Sequence, residues 1–309
     1  PEPLDIGLLA GGYDTASVLG ALRRVREARL LAVWGEDAET TRALAAKHDT
    51  EAFPSLRKVL EVRALDLVIV ASPPGQRTQD ALAAMRAGKS VLVYPPLDPQ
   101  SEYSRLGTLT QPAGVRVQMA ATARHHPAVA ALRKAIARGA LGEVAMVRYS
   151  LRLSAAEVGE ALAAEVAQGI DLASFLAGRP PARVFAADRG EPGRYRAVHL
   201  VLADNVIATV DVHVVPPDAR GFPPRERLVA VGTKGTRRGG TYAEDKLIHS
   251  GDEPLAGHAA MLRRMTAHVR GGPPPAPAAE WDAMVRACVA ADLSAKGGQP
   301  VALAPGEDL

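Results

Sequence analysis

Two short segments of this 309-residue chain have the residue types and spacing to hold a phosphorylated ligand. The first is Ala10-Gly11-Gly12-Tyr13-Asp14-Thr15, which follows the apolar run Ile6-Gly7-Leu8-Leu9 and precedes an amphipathic stretch carrying Val18, Leu19, Leu22 and Val25. Glycines at a strand-to-helix turn let an anion reach the backbone where amide donors and the helix dipole favour negative charge. In the pattern G-x-G-x-x-G the three glycines serve the tight turn, the approach of a pyrophosphate and helix-on-strand packing. Here those places hold Ala10, Gly12 and Thr15, so only the middle one is in register. An ordinary strand-to-helix turn reads the same; its position in a βαβ unit favours the nucleotide. The second segment, Trp34-Gly35-Glu36-Asp37, ends the next apolar run, where a carboxylate would accept the two hydroxyls of a ribose. The acid's usual place falls on Gly35, with Glu36 one step along, and no arginine or lysine follows immediately to bind a 2′-phosphate. NAD is therefore expected over NADP, although Glu36 and Asp37 also read as a solvated acidic pair at the start of a helix.

These segments need a parallel sheet to position them. Apolar runs at 6–9, 30–34, 67–71 and 91–93 alternate with helical patterns at about 38–47 and 79–87. Continuous apolar strands of this kind belong to a sheet covered on both faces. The expected architecture is α/β: an N-terminal Rossmann doubly wound domain over 1–120, then an α+β domain over 121–309 with a mostly antiparallel open sheet. In the latter a helix over 127–138 precedes strand patterns at 143–153, 183–187, 196–202, 206–215 and 227–232, with Ala203-Asp204-Asn205 as a hairpin turn. The proline-rich stretch 271–277 separates a helix at 259–269 from a last one at 280–297, which is expected to pack back on the first domain.

Composition removes several classes of function. Lys plus Arg number 37 against 34 acids, spread along the chain, which argues against an electrostatic nucleic-acid binder. No apolar run approaches the roughly 20 residues of a membrane span, so a soluble cytoplasmic protein is expected. The single cysteine, Cys288, excludes an intramolecular disulfide and a thiolate metal cage, and no zinc-site spacing is present. His199 and His213 read as sheet-face residues, and His48, His249, His258 and His268 as surface or loop positions.

Several further segments, in this order and spacing, resemble the glucose-fructose oxidoreductase, inositol dehydrogenase and MocA family (Gfo/Idh/MocA). They are Asp66-Leu67-Val68-Ile69-Val70-Ala71-Ser72-Pro73-Pro74, Ala84-Met85-Arg86-Ala87-Gly88-Lys89 running on to Tyr94-Pro95-Pro96-Leu97, Arg124-His125-His126-Pro127, Val231-Gly232-Thr233-Lys234-Gly235-Thr236 and Gly298-Gln299-Pro300-Val301. The resemblance implies hydride transfer between NAD or NADP and a sugar- or polyol-like carbon, and a homodimer or homotetramer formed through the sheet of the second domain. It also implies that Ser72, Pro73 and Pro74 lie along the cofactor. A proton shuttle is usually supplied there by the lysine of Glu-Lys-Pro and by an aspartate and a histidine four residues apart. In this chain those places hold Pro95, Ala164 and Gln168, and the histidine that often follows the Pro-Pro loop is Arg77. Proline and alanine carry no exchangeable proton, and a glutamine can orient a hydroxyl but cannot act as a base.

The expected reading is an oxidoreductase with atypical or lost catalysis, or a non-catalytic nucleotide- or sugar-binding protein on the same fold. Tyr94 is the first choice of proton donor, as a phenol tuned towards neutral pH, with Gln168 and His125 orienting substrate. Arg124, Glu165 and Pro95 are candidate substrate contacts, and Arg77 with Arg124 candidate anion holders.

Overall fold

A computed structural model describes residues 2–97, 114–154, 160–189, 195–215, 226–239, 242–243, 246–247 and 254–303. The chain divides into two compact units, one of residues 1–122 with 254–278 and one of 123–253 with 279–309.

In the first unit the order is β1 (Leu4–Leu9), α1 (Thr15–Leu22), β2 (Ala28–Trp34), α2 (Ala38–Lys47), β3 (Glu51–Ala52), α3 (Leu56–Leu60), β4 (Leu67–Val70), α4 (Arg77–Arg86), β5 (Ser90–Val93) and β6 (Val117–Met119). The strands form one sheet in the order β3-β2-β1-β4-β5-β6, every pairing parallel. Every residue of β4 and β5 is buried, as strands covered on both faces must be. The strand order reverses between β1 and β4, and the carboxyl ends of strands at such a switch point are where open α/β sheets bind ligands. Lys89, just before β5, has its ammonium held by the carbonyls of Val62, Arg63 and Leu65 at 2.8, 3.3 and 3.0 Å, which pins the approach to β4.

The second unit contains α5 (Pro127–Ala137), β7 (Val144–Ser154), α6 (Glu160–Ala177), β8 (Pro181–Asp188), β9 (Tyr195–Leu202), β10 (Ile207–Val215), β11 (Glu226–Gly232), β12 (Gly235–Arg238) and a short ladder of β13 (Tyr242–Ala243) with β14 (Lys246–Leu247). A helix α7 (Pro254–Val269) then returns to the first unit, where Met261, Leu262 and Met265 join the core formed with Val18, Leu19 and Leu22 of α1. The last helix, α8 (Ala278–Gly297), groups with the second unit, as does β15 (Val301–Ala302). The return to the first unit is thus made by α7, in place of the last helix.

The second sheet runs β12-β11-β7-β10-β9-β8-β15, antiparallel except for the β7–β10 pair. Helix α6 lies against β7 and β10 so closely that a β-carbon on Gly169 would stand 2.5 Å from Val210 Cγ1 and 2.6 Å from Tyr149 Cδ1. The β9–β10 turn is carried by Asp204 and Asn205 at φ 57° and 58°, a left-handed conformation these two residue types tolerate.

Candidate functional site

The turn after β1 is braced from within. Thr15, in the place of the third glycine, accepts a hydrogen bond from the Gly11 amide at 3.0 Å and donates to the Ala71 carbonyl at 3.3 Å, while the Gly12 amide donates to the same carbonyl at 2.8 Å. The Thr15 hydroxyl therefore ties the turn to the end of β4, where the fingerprint glycine would only pack. Ala10 is buried, its amide donating to Trp34 O at 2.7 Å, whereas Gly11, at φ +122°, is exposed.

Gly12 is required from the inside of the fold: a β-carbon there would lie 2.5 Å from Arg77 Nη2, 2.7 Å from Ser72 O and 2.8 Å from Ala71 O. Arg77 itself, expected to hold a phosphate or an anionic substrate, is corrected to a structural role. It is 0% exposed; Nε donates to Ser72 O at 2.7 Å, Nη1 donates to the carbonyls of Tyr94 and Pro95, and Nη2 lies 3.6 Å from the Asp14 carboxylate. One guanidinium joins the ends of β1, β4 and β5, and it has no surface to offer a ligand.

A polar wall stands beside the turn. Gly35 sits in a tight place, where a β-carbon would stand 3.0 Å from Thr41 Oγ1 and 3.1 Å from Ala10 O, so an acid at the usual position would need its neighbours to give by a few tenths of an ångström. Glu36, exposed, supplies the carboxylate instead and accepts a hydrogen bond from Gln76 Nε2 at 2.8 Å. Asp37 caps α2, accepting from the amides of Glu39 and Thr40 at 3.0 and 3.3 Å, and the hydrogen bonds from Thr40 hold its carboxyl below the usual range. Asp80 is buried, and desolvation pushes its carboxyl upwards; a hydrogen bond from the Ser72 hydroxyl pulls the other way and the Glu36 charge adds to the rise. Gln76 Oε1 is buried with no hydrogen-bond partner among the described residues. The exposed Glu36 carboxylate, at a switch point of the sheet, is the group here that can accept hydroxyl donors from a ligand, such as the ribose of a dinucleotide. Sequence reasoning missed Gln76 and Asp80, which stand at the N-cap and in the first turn of α4.

Tyr94 is also corrected. Its ring is 1% exposed, stacked on His258 of α7 with centroids 5.7 Å apart and planes 13° apart, and its hydroxyl lies 3.0 Å from His258 Nδ1. Burial and the Asp14 charge raise the phenol well above its usual value, the opposite of the tuning an acid catalyst needs at neutral pH. Burial pushes His258 down to about 4, so the two rings form an uncharged pair inside the first unit. His258 is therefore no surface residue, and neither is His268, whose Nδ1 lies 2.8 Å from Gly272 O. His249 falls outside the described residues.

In the second unit Arg124 is likewise committed to structure. It is 5% exposed and meets Asp171 through two bonds, Nε to Oδ2 at 2.6 Å and Nη2 to Oδ1 at 2.5 Å; Nη1 pairs with Glu280 and the guanidinium lies 4.9 Å above the Phe175 ring. Its expected role as an anion holder gives way to a buried ion pair that fastens the start of this unit to α6 and α8. His126 caps α5, its Nδ1 accepting from the Ala128 amide at 3.3 Å, and both His125 and His126 are half-buried. Gln168 Oε1 accepts from the Ala123 amide at 3.1 Å, and Glu165 accepts from the Tyr149 hydroxyl at 3.1 Å. Ala164 is buried. Among the described residues no group of His, Cys, Asp and Glu could hold a metal ion, and no helix is long and apolar enough to cross a membrane.

Residues 6–121 match the family described as "Oxidoreductase family, NAD-binding Rossmann fold" (GFO_IDH_MocA). Inositol 2-dehydrogenase 4 of Saccharopolyspora erythraea is 32% identical over 162 residues, which cover 50% of this chain and 47% of that protein. The match thus spans about half the length of that curated relative. Among solved structures, myo-inositol dehydrogenase from Lactobacillus casei in complex with NAD(H) and myo-inositol superposes with a TM-score of 0.82 at 18% identity, covering 99% of this chain and 98% of that one. The WlbA dehydrogenase from Bordetella pertussis, in complex with NADH and UDP-GlcNAcA, gives 0.80 at 21% identity, with 98% of each chain covered. These two likenesses establish the fold.

Proposed function

Because the chain belongs to the Gfo/Idh/MocA oxidoreductases, its residues 6–121 being their NAD-binding Rossmann domain, we propose that it binds NAD, in preference to NADP, together with a sugar- or polyol-like small molecule. The observation that carries the reading is the exposed Glu36 carboxylate, held by Gln76 Nε2 at 2.8 Å beside the glycine turn, at the carboxyl ends of the parallel strands. Ala10, Gly11, Gly12 and Thr15 would present backbone to the diphosphate, Glu36 would accept the ribose hydroxyls, and Gly35, Ser72, Pro73 and Pro74 would flank the nucleoside. Bound there, the cofactor supplies a hydride donor or acceptor.

Proton transfer is where, by the resemblance, this chain departs from the family's pattern. Pro95, Ala164 and Gln168 occupy the usual acid–base places, and Tyr94 and Arg77 are sealed in packing. We assign Gln168, His125 and Glu165 to orienting the substrate, with dehydrogenation slow because Pro95, Ala164 and Gln168 cannot take the alcohol proton at the places where the resemblance puts the family's acid–base groups. A general acid or base typically contributes about 100- to 10,000-fold, which sets the scale of the expected deficit. The upward shift of Tyr94 favours a second reading, a binding protein with no turnover. A homo-oligomer through the outer face of the second sheet belongs to the same proposal, since Phe185 and Ile207 stand exposed there.

The test is an assay of NAD reduction across a panel of polyols and sugars, alongside calorimetric binding of the same compounds to the NADH-loaded protein. Binding with turnover at least about 100-fold below an intact relative supports the proposal. Turnover at the relative's rate refutes the assigned deficit, and saturable ligand binding with no turnover at any pH selects the second reading.

A further inference from the structure

The second unit holds a cavity of about 420 Å³ between α5, the carboxyl end of α6 and the start of α8. It is separate from the residues assigned to substrate: Gln168 stands seven positions before Phe175, about 10 Å back along α6, and neither it nor Glu165 lines the cavity. Phe175, Pro180, Pro181 and Ala283 make an apolar wall, and three arginines reach it. Two of the three are matched by acids. Arg124 is held by Asp171 and Glu280, and Arg179 by Asp204, so Glu280, the acid in the lining, is itself engaged. Arg133 of α5 is the third. Its guanidinium lies 5.6 Å from the centre of the Phe175 ring, which Arg124 also covers at 4.9 Å, and no carboxylate among the described residues pairs with it. An aromatic face steadies a guanidinium without using up its N–H fork, which a carboxylate meets through two parallel hydrogen bonds.

We propose that this cavity is a second ligand site, for a small carboxylic acid with a flat apolar body: the carboxylate on Arg133, the body against Phe175, Pro180 and Pro181. The volume lies in the range of small-molecule sites, roughly 300–1,000 Å³. Three guanidinium groups disfavour a cation, and a bare inorganic anion would leave the apolar wall uncovered.

Benzoate and its uncharged counterpart benzamide, titrated onto the purified chain by saturation-transfer NMR with inorganic phosphate as a competitor, test this. Benzoate is expected to saturate with a Kd below about 5 mM, and benzamide to bind at least about tenfold more weakly. Arg133→Met keeps an unbranched side chain over Phe175 and should weaken benzoate at least about tenfold, whereas added NADH should leave benzoate unchanged. No saturation by about 20 mM, equal affinity for the two probes, displacement by equimolar phosphate, or an unchanged affinity in Arg133→Met each overturns the proposal. Should Arg133→Met fail to fold, Ala283→Leu decides by filling the cavity from α8: benzoate binding must fall at least about tenfold, and unchanged binding overturns the proposal. Competition between benzoate and NADH would place the benzoate at the dinucleotide turn and overturn it as well. A chain that binds benzoate in this way but no NADH would leave this site standing while the dinucleotide reading fails.

Discussion

Protonation of His258 should destabilise the first unit, and the size of the effect follows from its surroundings. Burial lowers this histidine from 6.5 to about 4. A group whose folded pKa is depressed binds more protons in the unfolded chain between the two values, so stability falls as pH drops through that window. Summed over the titration, the stability lost between pH 7 and pH 5 is about 2 kcal/mol, approaching about 3 kcal/mol once pH nears 4. Replacing His258 by glutamine keeps an acceptor for the Tyr94 hydroxyl and removes the titration. Urea unfolding followed by circular dichroism at several pH values should then show a flatter profile for His258→Gln than for the wild-type chain, by about 2 kcal/mol between pH 7 and pH 5. Asp80 works in the opposite direction, since its raised carboxyl favours the folded state as pH falls, and it is common to both proteins. Parallel profiles would refute the claim that His258 is buried and neutral against Tyr94.

Arg124→Met should cost about 3–5 kcal/mol, because it leaves the Asp171 carboxylate buried without its bidentate partner; Asp171→Asn in the same background should recover part of that loss in urea midpoints. Gly169→Ala should destabilise the second unit by about 1–3 kcal/mol, since the added methyl meets Val210 and Tyr149 within 2.6 Å, and a thermal melt reads this. Thr15→Val should cost about 0.5–1.5 kcal/mol by removing the two hydrogen bonds of its hydroxyl, while the Gly12 amide still holds the Ala71 carbonyl and water reaches the exposed Gly11 amide, again read from urea midpoints.

What the chain discloses by itself is the part governed by local pattern. The apolar runs at 67–71 and 91–93 read correctly as buried parallel strands, the 38–47 helix has its observed bounds, and the Asp204–Asn205 turn sits where its residue types place it. Pairings between distant residues were not legible. Arg77 and Arg124 look like anion hooks because a sequence displays charge without burial, yet their partners lie 63 and 47 positions away at Asp14 and Asp171. A signal existed for the second: Asp171 lies between Ile170 and Leu172 in a predominantly apolar helix, and a buried acid there requires a cation. Tyr94 extends the apolar run Val91-Leu92-Val93, which hinted at burial, but its partner stands 164 residues further on in a helix that no local rule assigns to the first unit. The polar wall was half visible, as Glu36 and Ser72, while Gln76 and Asp80 looked like ordinary helix-surface residues.

The central claim is that the first unit holds NAD beside the turn after β1, with Glu36, held by Gln76, at its ribose. Titrating the purified chain with NADH and with NADPH, following nicotinamide fluorescence, tests it most directly. Saturable NADH binding with a Kd below about 1 mM, and NADPH at least about tenfold weaker, is the predicted result. The absence of saturable NADH binding, or tighter binding of NADPH, would contradict it.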